Sequence, residues 1–329
     1  MPDPRFDHLC EFWKPPSMIA ATLTIYDIAG LVAGAAEGKG LGNAFLSHIA
    51  EVDGIYHVIR AFSDKEIEHF EGSVDPVRDL ATISNELRLK DLERATNECA
   101  ALEKVVQRGM DKSKGPVLET MKKAKELLEK GTDIRYGDWN LKEVDVINPM
   151  NFLSAKPVVY LVNISLKDYA KQKSKSLKSI KDWVEANSPG SPVIPFSATY
   201  EKALEAGEVK ESEEAPLQKS VLPKIIHAGY KCLRLIYFFT VGDDEVRCWT
   251  IQKGTKAKPA SAVIHTDFEK GFQSADVYSY DDFKRLGNPD EVKKEGKLRT
   301  QGKDYVVLDG DIIHFKINQA AAAASKKKK

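Results

Sequence analysis

The chain has 329 residues, with 49 Lys or Arg against 49 Asp or Glu, so its formal net charge is zero. This length allows two or three domains with buried cores, and the balanced charge gives no overall reason to bind DNA or a membrane. The four cysteines are scattered, the first ten residues are polar, and no apolar run approaches about 18 residues. These features predict a cytoplasmic protein with free thiols and exclude a disulfide framework and a secretory signal.

The first element with a clear pattern is a short apolar run, Leu23–Tyr26, which predicts a buried strand and ends in an acid, Asp27. Before it, residues 1–17 hold four prolines among aromatic side chains, which is not the usual start of a parallel-sheet domain. After it comes a glycine-rich loop, and Asn43–Ile49 is typical of a helix start. The loop glycines are Gly30, Gly34, Gly38, Gly40 and Gly42.

This order of strand, acid, glycine loop and helix is how α/β nucleotide-binding proteins place a metal-binding carboxylate and a mobile loop beside a phosphate. Asp27 would hold Mg²⁺ directly or through water. Gly30 would let a backbone N–H approach a terminal phosphate, because no Cβ stands in the way. An ordinary glycine-rich connection between a strand and a helix needs the same residue types, so these residues alone leave both interpretations open.

Three further apolar runs predict parallel strands: Asp53–Phe62, Lys156–Asn163 and Pro192–Phe196. Helical patterns separate them, so this half of the chain predicts a doubly wound α/β fold. Between the first two runs, Asp75–Arg108 and Val117–Lys130 have helical spacing. They predict an inserted coiled-coil hairpin or, alternatively, two solvated surface helices.

The last third of the chain changes from helical to strand periodicity. An acidic connector, Ala203–Pro216, and a predicted helix, Leu217–Leu233, precede the change. The strand-like runs and the turn Asp309-Gly310 then predict a small mixed β domain over Leu233–Asn318. The runs are Ile236–Val241, Arg247–Ile251, Ser274–Ser279, Tyr305–Leu308 and Ile312–Ile317.

Two runs of the sequence resemble known families, one in each half of the chain. DIAGLVAGAAEGKGLGNAFLSHI resembles the third nucleotide-binding motif and switch II of the Obg-like ATPases, the YchF family of translation-factor-class P-loop NTPases. TIQKGTKAKPASAVIHTDFEKGF resembles a TGS domain, a ubiquitin-like β-grasp module. The resemblance implies an α/β fold: an incomplete doubly wound P-loop NTPase sheet (G domain) with a helical coiled-coil insert, followed by a C-terminal β-grasp domain.

These patterns divide the chain into predicted domains. The nucleotide-binding domain takes residues 1–74 and 153–232, and the helical insert takes residues 75–152. The TGS domain takes residues 233–318. The tail, residues 319–329, is Ala followed by Lys and is predicted to be disordered.

The resemblance also implies residues that contact the nucleotide base. Asn163 matches the first residue of the base-recognition motif, N-K-x-D in GTPases, whose Asp accepts hydrogen bonds from guanine. Here the run is Asn163-Ile164-Ser165-Leu166, without that Asp and without the Glu usual in the family, so the reason to prefer guanine is absent. Apolar contact from Ile164 and Leu166 would suit adenine, and Ser197-Ala198 resembles the last base-contacting motif. We therefore expect ATP rather than GTP.

Two departures from the family pattern concern catalysis. Leu31 follows Gly30, where many GTPases carry a water-orienting Gln, so no catalytic residue is assigned. In addition, no G-x-x-x-x-G-K-[ST] occurs in the sequence. We therefore expect an N-terminally truncated chain that hydrolyses ATP poorly or not at all, because the phosphate loop supplies much of the positioning and electrostatics of phosphoryl transfer.

The resemblance implies ATP binding and hydrolysis with Mg²⁺, coupled to ribosomes or translation. The alternative is a non-catalytic module that keeps its helical and TGS surfaces for binding ribosomes or proteins. Lysines and aromatic residues of the TGS region would form a basic, aromatic surface for RNA, or else solvated lysines around core aromatics. These residues are Lys253, Lys256, Lys258, Lys270, Trp249, Phe268 and Phe272.

Overall fold

The computed structural model describes residues 3–28, 48–69, 71–107, 111–208 and 219–318. The chain forms two units: Tyr26–Cys232 is the larger, and Met1–Ile25 together with Leu233–Lys329 is the smaller. Residues 1–25, which were predicted to lie in the nucleotide-binding domain, thus belong with the C-terminal residues. Within the described ranges, every helix is too short or too polar to span a lipid bilayer.

The elements are numbered in chain order. The strands are β1 (Ser17–Ile19), β2 (Ile55–Arg60), β3 (Val158–Asn163), β4 (Val193–Phe196), β5 (Leu235–Thr240), β6 (Glu245–Gln252), β7 (Phe272–Ser279), β8 (Arg299–Gln301) and β9 (Asp311–Ile317). The helices are α1 (Pro4–Trp13), α2 (Pro76–Gln107), α3 (Gly115–Glu129), α4 (Leu141–Ile147), α5 (Leu166–Ala170), α6 (Ser176–Asn187), α7 (Ala198–Glu205), α8 (Leu222–Cys232), α9 (Ala257–Ala262), α10 (Thr266–Gly271), α11 (Tyr280–Leu286) and α12 (Pro289–Lys294). Short 3₁₀ turns occur at Lys112–Lys114, Ile134–Tyr136, Asn148–Met150 and Leu153–Ala155.

The larger unit is built on a parallel sheet in which β3 lies between β2 and β4. Ile55 is opposite Val158, and Tyr160 is opposite Val193. All residues of β3 except the last are buried, as expected for a parallel strand covered on both faces. The three strands predicted for this half, and the parallel α/β sheet that they form, are confirmed.

The predicted strand Leu23–Tyr26 is wrong. Residues 20–28 have no regular secondary structure, and the side chains of Ile25 and Tyr26 are 60 % and 69 % exposed. An apolar run makes a segment compatible with a sheet, but a strand also needs a neighbour for its backbone hydrogen bonds. In the part of the chain that the structure describes, β2 pairs with β3 alone, so no further strand extends the sheet towards these residues.

The two long helices of the predicted insert are confirmed. α2 and α3 pack against each other and share a hydrophobic core with the residues that lead back to β3. Ala95 and Cys99 of α2, Met121 of α3 and Phe152 beyond them are all buried in this core. The insert therefore has a core of its own and is not a pair of solvated surface helices.

A buried carboxylate ties the insert to the start of β3. Asp91 of α2 accepts hydrogen bonds from the backbone N–H groups of Leu153 (2.8 Å) and Ser154 (2.7 Å) and from Oγ of Ser154 (2.6 Å). Burial raises the pKa of Asp91 to about 6, although these hydrogen bonds act in the opposite direction. Asp91 thus caps the 3₁₀ turn Leu153–Ala155 from another element.

The smaller unit contains a mixed sheet with the strand order β1-β6-β5-β9-β7-β8. β1 is parallel to β6 and β5 is parallel to β9, whereas the other neighbours are antiparallel. The core includes Phe238, Trp249 and Phe315 of the sheet, together with Ala257 and Ala260 of α9. A mixed sheet with short helices packed on it agrees with the predicted β-grasp fold.

The predicted strand Tyr305–Leu308 is wrong, and a strand is found at β8 instead. The carboxylate of Asp311 accepts hydrogen bonds from Oη of Tyr305 (2.8 Å) and from the N–H of Leu308 (2.9 Å), which holds these residues as a loop before β9. The predicted turn at Asp309-Gly310 is present. Its Gly310 has a φ of 86°, in the left-handed region that favours glycine.

The strap, residues 3–21, contains α1 and β1 and was not predicted. Asp3 caps α1 by accepting a hydrogen bond from the N–H of Arg5 at 2.8 Å, and Pro4 occupies the first turn. The helix ends at Lys14, which has a left-handed φ of 47°. The side chains buried on α1 are Phe6, Leu9 and Cys10.

We expect Asp91→Asn to destabilise the larger unit by about 2 kcal/mol. The NH₂ group of the amide cannot accept a hydrogen bond, so a buried N–H donor that faces it loses its acceptor. Hydrogen exchange of β3 amides across a urea series measures the change. Glu93→Gln is the matched control, since Glu93 lies on the same helix with its side chain 54 % exposed and pairs with Lys90. Its effect should stay within about 0.5 kcal/mol. Equal effects of the two variants would contradict the capping role of Asp91.

Candidate functional site

The carboxyl ends of β2, β3 and β4 lie side by side. Arg60 is opposite Asn163, and Asn163 is opposite Phe196, so the three strands end at one level of the sheet. In doubly wound α/β proteins, ligands bind at this edge, among the loops that follow the strands. The candidate site is therefore formed by the residues directly after these three strand ends.

The structure brings two of the predicted base motifs together at Asn163. Oδ1 of Asn163 accepts a hydrogen bond from the N–H of Ala198 at 3.1 Å, which joins the loop after β3 to the loop after β4. The backbone carbonyl of Asn163 accepts a hydrogen bond from the N–H of Ala61 at 2.8 Å, which joins the loop after β2. One residue thus connects all three loops.

Ser197 supplies a buried hydroxyl between β4 and α7. Its side chain is 1 % exposed, and its Oγ has no hydrogen-bond partner among the residues that the structure describes. A buried polar atom without a partner is unfavourable, and a ligand that donates to it or accepts from it removes the penalty. This hydroxyl therefore fits a polar group of a bound molecule.

Ile164 and Leu166 differ in what they can offer to a ligand. The side chain of Ile164 is 3 % exposed and belongs to the core with Tyr169 and Ile180. Leu166 is 46 % exposed at the first position of α5. Apolar contact with a base can therefore come from Leu166, whereas the Ile164 side chain is already packed in the core.

Two tyrosines pack together the helices that follow the two motifs. Tyr169 of α5 and Tyr200 of α7 are buried, with their ring centroids 5.1 Å apart. Burial raises the pKa of Tyr169, and the nearby Glu201 adds to this effect. The aromatic pair fixes α5 against α7 and so supports the hydrogen bond between the two loops.

Arg60 organises the loop after β2, a role that the sequence reasoning missed. Its guanidinium group lies 5.0 Å from the centroid of the Phe62 ring and donates to four backbone carbonyls. The acceptors are Phe62 (3.3 Å), Asp64 (3.3 Å), Ile67 (2.9 Å) and Glu68 (3.1 Å). The signal in the sequence was a charged residue at the carboxyl end of an apolar strand, where a side chain reaches the loops of the site.

Asp27 lies in the irregular residues 26–28, and its side chain is exposed. The next residue, Ile28, packs on a buried cluster that includes Ile49. The predicted phosphate contact, Gly30, lies outside the described residues.

In the ranges that are described, no three His, Cys, Asp or Glu side chains are grouped to hold a metal ion. Mg²⁺ binds through one or two carboxylates, waters and substrate phosphates, so a single exposed carboxylate fits it.

A buried lysine holds the helical residues 48–51, which follow the glycine loop. Nζ of Lys156 donates to the carbonyls of Ala50 (3.1 Å) and Val52 (2.6 Å) and to Oδ1 of Asn151 (2.9 Å). Burial lowers the pKa of Lys156. Lys156 lies two positions before the first residue of β3, so the chain entering the central strand is bonded to the segment downstream of Asp27.

The predicted aromatic surface of the smaller unit is wrong. Trp249 is 7 % exposed, and Phe268 and Phe272 pack against the same core. Nε1 of Trp249 donates to Oγ1 of Thr240 at 2.9 Å, so its polar atom is also used within the unit. The predicted lysines are exposed, and the alternative interpretation, core aromatics with solvated lysines, is confirmed.

Several proteins are similar in sequence to this chain over nearly its whole length. The Obg-like ATPase 1 of Gallus gallus is 54% identical over 323 residues, which are 97% of this chain and 82% of that protein. The Obg-like ATPase 1 of Homo sapiens is 53% identical over the same shares of the two chains. The chain belongs to the Obg-like ATPase family. The family predicted from the glycine loop is thereby confirmed.

A solved structure and a family model agree with this membership. The YchF GTPase of Schizosaccharomyces pombe matches this family member with a TM-score of 0.84 and 46% identity, covering 96% of this chain and 86% of that chain. The model YchF-GTPase_C, described as a protein of unknown function (DUF933), matches residues 235–318. The predicted fold class, an α/β nucleotide-binding fold followed by a C-terminal domain, is confirmed.

We expect Asn163→Ala to speed amide exchange at Ala198 by about tenfold, because that N–H loses its acceptor. Asn163→Asp is the matched control: its carboxylate keeps an acceptor oxygen, so exchange at Ala198 should stay close to that of the unchanged chain. Hydrogen exchange followed by NMR on the full chain measures both. Equal rates in the Ala and Asp variants would mean that this bond does not join the two loops in solution.

Proposed function

We propose that this chain binds ATP, with the base held at the carboxyl ends of β3 and β4. The observation that carries the proposal is the hydrogen bond from Ala198 to Asn163, since it joins the two base motifs into one site. The buried hydroxyl of Ser197 adds a polar group at the same place. Membership of a family whose relatives are named ATPases supports nucleotide binding. In this proposal, Ile164 contributes to the site through its position in the motif, with its side chain in the core.

ATP is favoured over GTP because of the residue three positions after Asn163. Leu166 stands there, exposed and without an acceptor for the N1–H and 2-amino groups of guanine. Donors that are buried without partners cost about 1–3 kcal/mol each, and adenine lacks these two donors. The names of similar proteins do not decide the question, since the relatives are named ATPases and the solved structure a GTPase.

We expect Leu166→Asp to shift the ratio of ATP to GTP affinity towards GTP by about tenfold, because a carboxylate accepts hydrogen bonds from both guanine donors. Leu166→Asn is the matched control, with similar size and no charge, and should shift the ratio less. Titration of the full chain with fluorescent ATP and GTP analogues gives both affinities. A ratio that is the same in the Asp variant and the unchanged chain would contradict a base placed beside Leu166.

Mg²⁺ is proposed to enter the site with the nucleotide. The exposed carboxylate of Asp27 would hold the ion directly or through water, and the backbone of Gly30 would face the terminal phosphate. Bound Mg²⁺ would neutralise charge on the phosphate oxygens. These two roles rest on the motif and on the exposure of Asp27.

Hydrolysis is proposed to be slow in these 329 residues. The sequence holds no G-x-x-x-x-G-K-[ST], whose Lys and backbone N–H groups stabilise the phosphoryl group during transfer. Loss of a single such donor lowers turnover by about 10²–10³ in other enzymes. ATP binding without fast turnover would suit a protein that acts with ribosomes in the cytoplasm, and we propose that coupling.

A second candidate function is a non-catalytic module that binds ribosomes through its surfaces. The observation that favours it is the group of exposed lysines Lys253, Lys256 and Lys258, which lie in the turn after β6 and the start of α9. Lysines at one place on a surface attract the phosphates of RNA, and this attraction needs no bound nucleotide. Lys256 already pairs with Asp304 at 2.8 Å, so the attraction would come chiefly from the other two.

Turnover and ribosome co-sedimentation, measured on the full chain, separate the two functions. We expect turnover at least about 100-fold below that of an intact P-loop ATPase assayed beside it. Co-sedimentation that changes when ATP is added favours the nucleotide-dependent function, and co-sedimentation that ATP leaves unchanged favours the module. Turnover equal to that of the intact enzyme would sink the proposal of slow hydrolysis, and a lack of co-sedimentation under both conditions would sink the ribosome coupling.

A further inference from the structure

Helix α7 begins directly after the buried Ser197, so the contacts that orient α7 also orient that residue. Two of these contacts connect α7 to the loop after β3 and to α5. They are the hydrogen bond from the N–H of Ala198 to Oδ1 of Asn163 (3.1 Å) and the ring contact between Tyr169 and Tyr200. A third contact, made by a charged side chain of α7, connects the helix to a different element.

The side chain of Glu201 connects α7 to the start of α8. Its Oε1 accepts a hydrogen bond from the N–H of Val221 at 2.9 Å, and its Oε2 accepts one from Oγ of Ser220 at 2.6 Å. The same Oγ accepts a hydrogen bond from the N–H of Leu222, the first residue of α8, at 3.2 Å. The carboxylate thus lies at the amino end of α8, where N–H groups lack partners within the helix and a negative charge is favourable.

Helix α8 is itself bonded to the sheet of the larger unit. The side chain of Ile225 is buried in a cluster with Val159 and Leu161 of β3 and Ile194 of β4. Oη of Tyr56, on β2, donates to the carbonyl of Ile225 at 2.9 Å. The two hydrogen bonds of the Glu201 carboxylate therefore connect α7 to the core of the unit, by a route separate from that through Asn163.

The backbone of Glu201 extends this connection to Ser197. The N–H of Glu201 donates to the carbonyl of Ser197 at 3.0 Å, which is the first helical hydrogen bond of α7. On the other side, the carbonyl of Phe196 accepts a hydrogen bond from the N–H of Ile164 at 2.9 Å. The peptide groups before and after Ser197 are thus both held. Since the Ser197 side chain is also buried and closely packed, its hydroxyl keeps one direction.

We propose that Glu201 is a positioning residue of the base site. Its carboxylate holds the first turn of α7 to α8, and this turn sets the direction in which the Ser197 hydroxyl meets a bound base. In this role Glu201 acts through Ser197 and Ala198, without contact to the nucleotide. The inference rests on the proposed function, because it assigns the Ser197 hydroxyl to the base of ATP.

Two substitutions of similar length separate the acceptor oxygens of Glu201 from the bulk of its side chain. Glu201→Met keeps the size and the helix propensity but loses both strong acceptors. We expect ATP affinity to fall about tenfold and exchange of the Ala198 amide to rise by a similar factor. Glu201→Gln is the rescue variant, because its amide oxygen accepts from Val221 and its NH₂ group donates to Oγ of Ser220. Its ATP affinity should stay within about threefold of that of the unchanged chain.

ATP titration of the full chain, followed by NMR at the Ala198 amide, gives the affinity and the local change together. Ser220→Ala removes the donor to Oε2 alone, so we expect about a threefold loss of ATP affinity. Combined with Glu201→Met it should cause no further loss, because the bond is already absent. Glu205→Gln is the control on the same helix, since Glu205 is exposed one turn further along α7, and it should leave the affinity unchanged.

The role of Glu201 is overturned if Glu201→Met binds ATP as tightly as the unchanged chain. It is also overturned if Glu201→Gln binds as weakly as Glu201→Met, because the acceptor oxygens are then irrelevant. If Glu201→Met unfolds the larger unit, seen as faster exchange throughout β2, β3 and β4, Ser220→Ala decides. A threefold loss of affinity in that variant supports the role, and unchanged affinity refutes it.

Failure of the proposed function gives a different result, since the unchanged chain then binds no ATP. Exchange at the Ala198 amide, measured without nucleotide, still tests the position of α7 in that case. Faster exchange in Glu201→Met than in Glu201→Gln supports the connection to α8, and equal exchange in the two variants contradicts it.

Discussion

The pairing of β3 with a parallel strand on each side is the interaction on which the larger unit depends. β3 is buried along nearly its whole length, so its backbone N–H and C=O groups must be bonded to β2 and β4. The same register brings Arg60, Asn163 and Phe196 to one level. The geometry of the candidate site is therefore a consequence of the backbone hydrogen bonding of β3. A shift of the strand register by one residue would move Asn163 away from Ala198.

Polar side chains hold both ends of this strand. At the amino end, Lys156 is bonded to the carbonyls of Ala50 and Val52, and Asp91 caps the turn just before it. At the carboxyl end, Asn163 holds the loop after β4. Buried polar groups are stabilising when their partners are all present, and they specify one arrangement because few other arrangements satisfy them. The helical insert and the nucleotide motifs are thus fixed to the same strand, at opposite ends.

The sequence predicted the elements whose pattern is local. The runs at β2, β3 and β4 and the helical spacing of α2 and α3 contain enough apolar residues to identify them without their partners. Leu23–Tyr26 has the same local pattern and is not a strand, because pairing depends on a neighbour that periodicity does not reveal. α1 was not predicted, although Asp3-Pro4 is a helix-start signal and Phe6, Leu9 and Cys10 have helical spacing, because no element was assigned to residues 1–17 with their four prolines.

The candidate site likewise contains residues that the sequence predicted and features that it did not. The sequence motif predicted Asn163, Ser197 and Ala198, and the structure places the first and last of these in contact. Burial of the Ile164 side chain could not be read from the motif, since an apolar residue after a strand serves a core or a ligand equally well. The loop formed around Arg60 depends on backbone carbonyls, which any sequence supplies, so its one signal in the sequence was the charged residue at the end of the strand.

The smaller unit carries a different constraint, since its sheet takes β1 from one end of the chain and β5 to β9 from the other. Closing so long a loop loses more chain entropy than forming a local hairpin, and the loss must be recovered by contacts such as the ion pair of Arg5 with Asp309 and the ring contact of Phe12 with Phe283. Part of the entropy is already lost when the larger unit folds, because its folding shortens the free chain between the two ends. The docked strap is therefore more stable when the larger unit is folded than it would be on an unfolded chain.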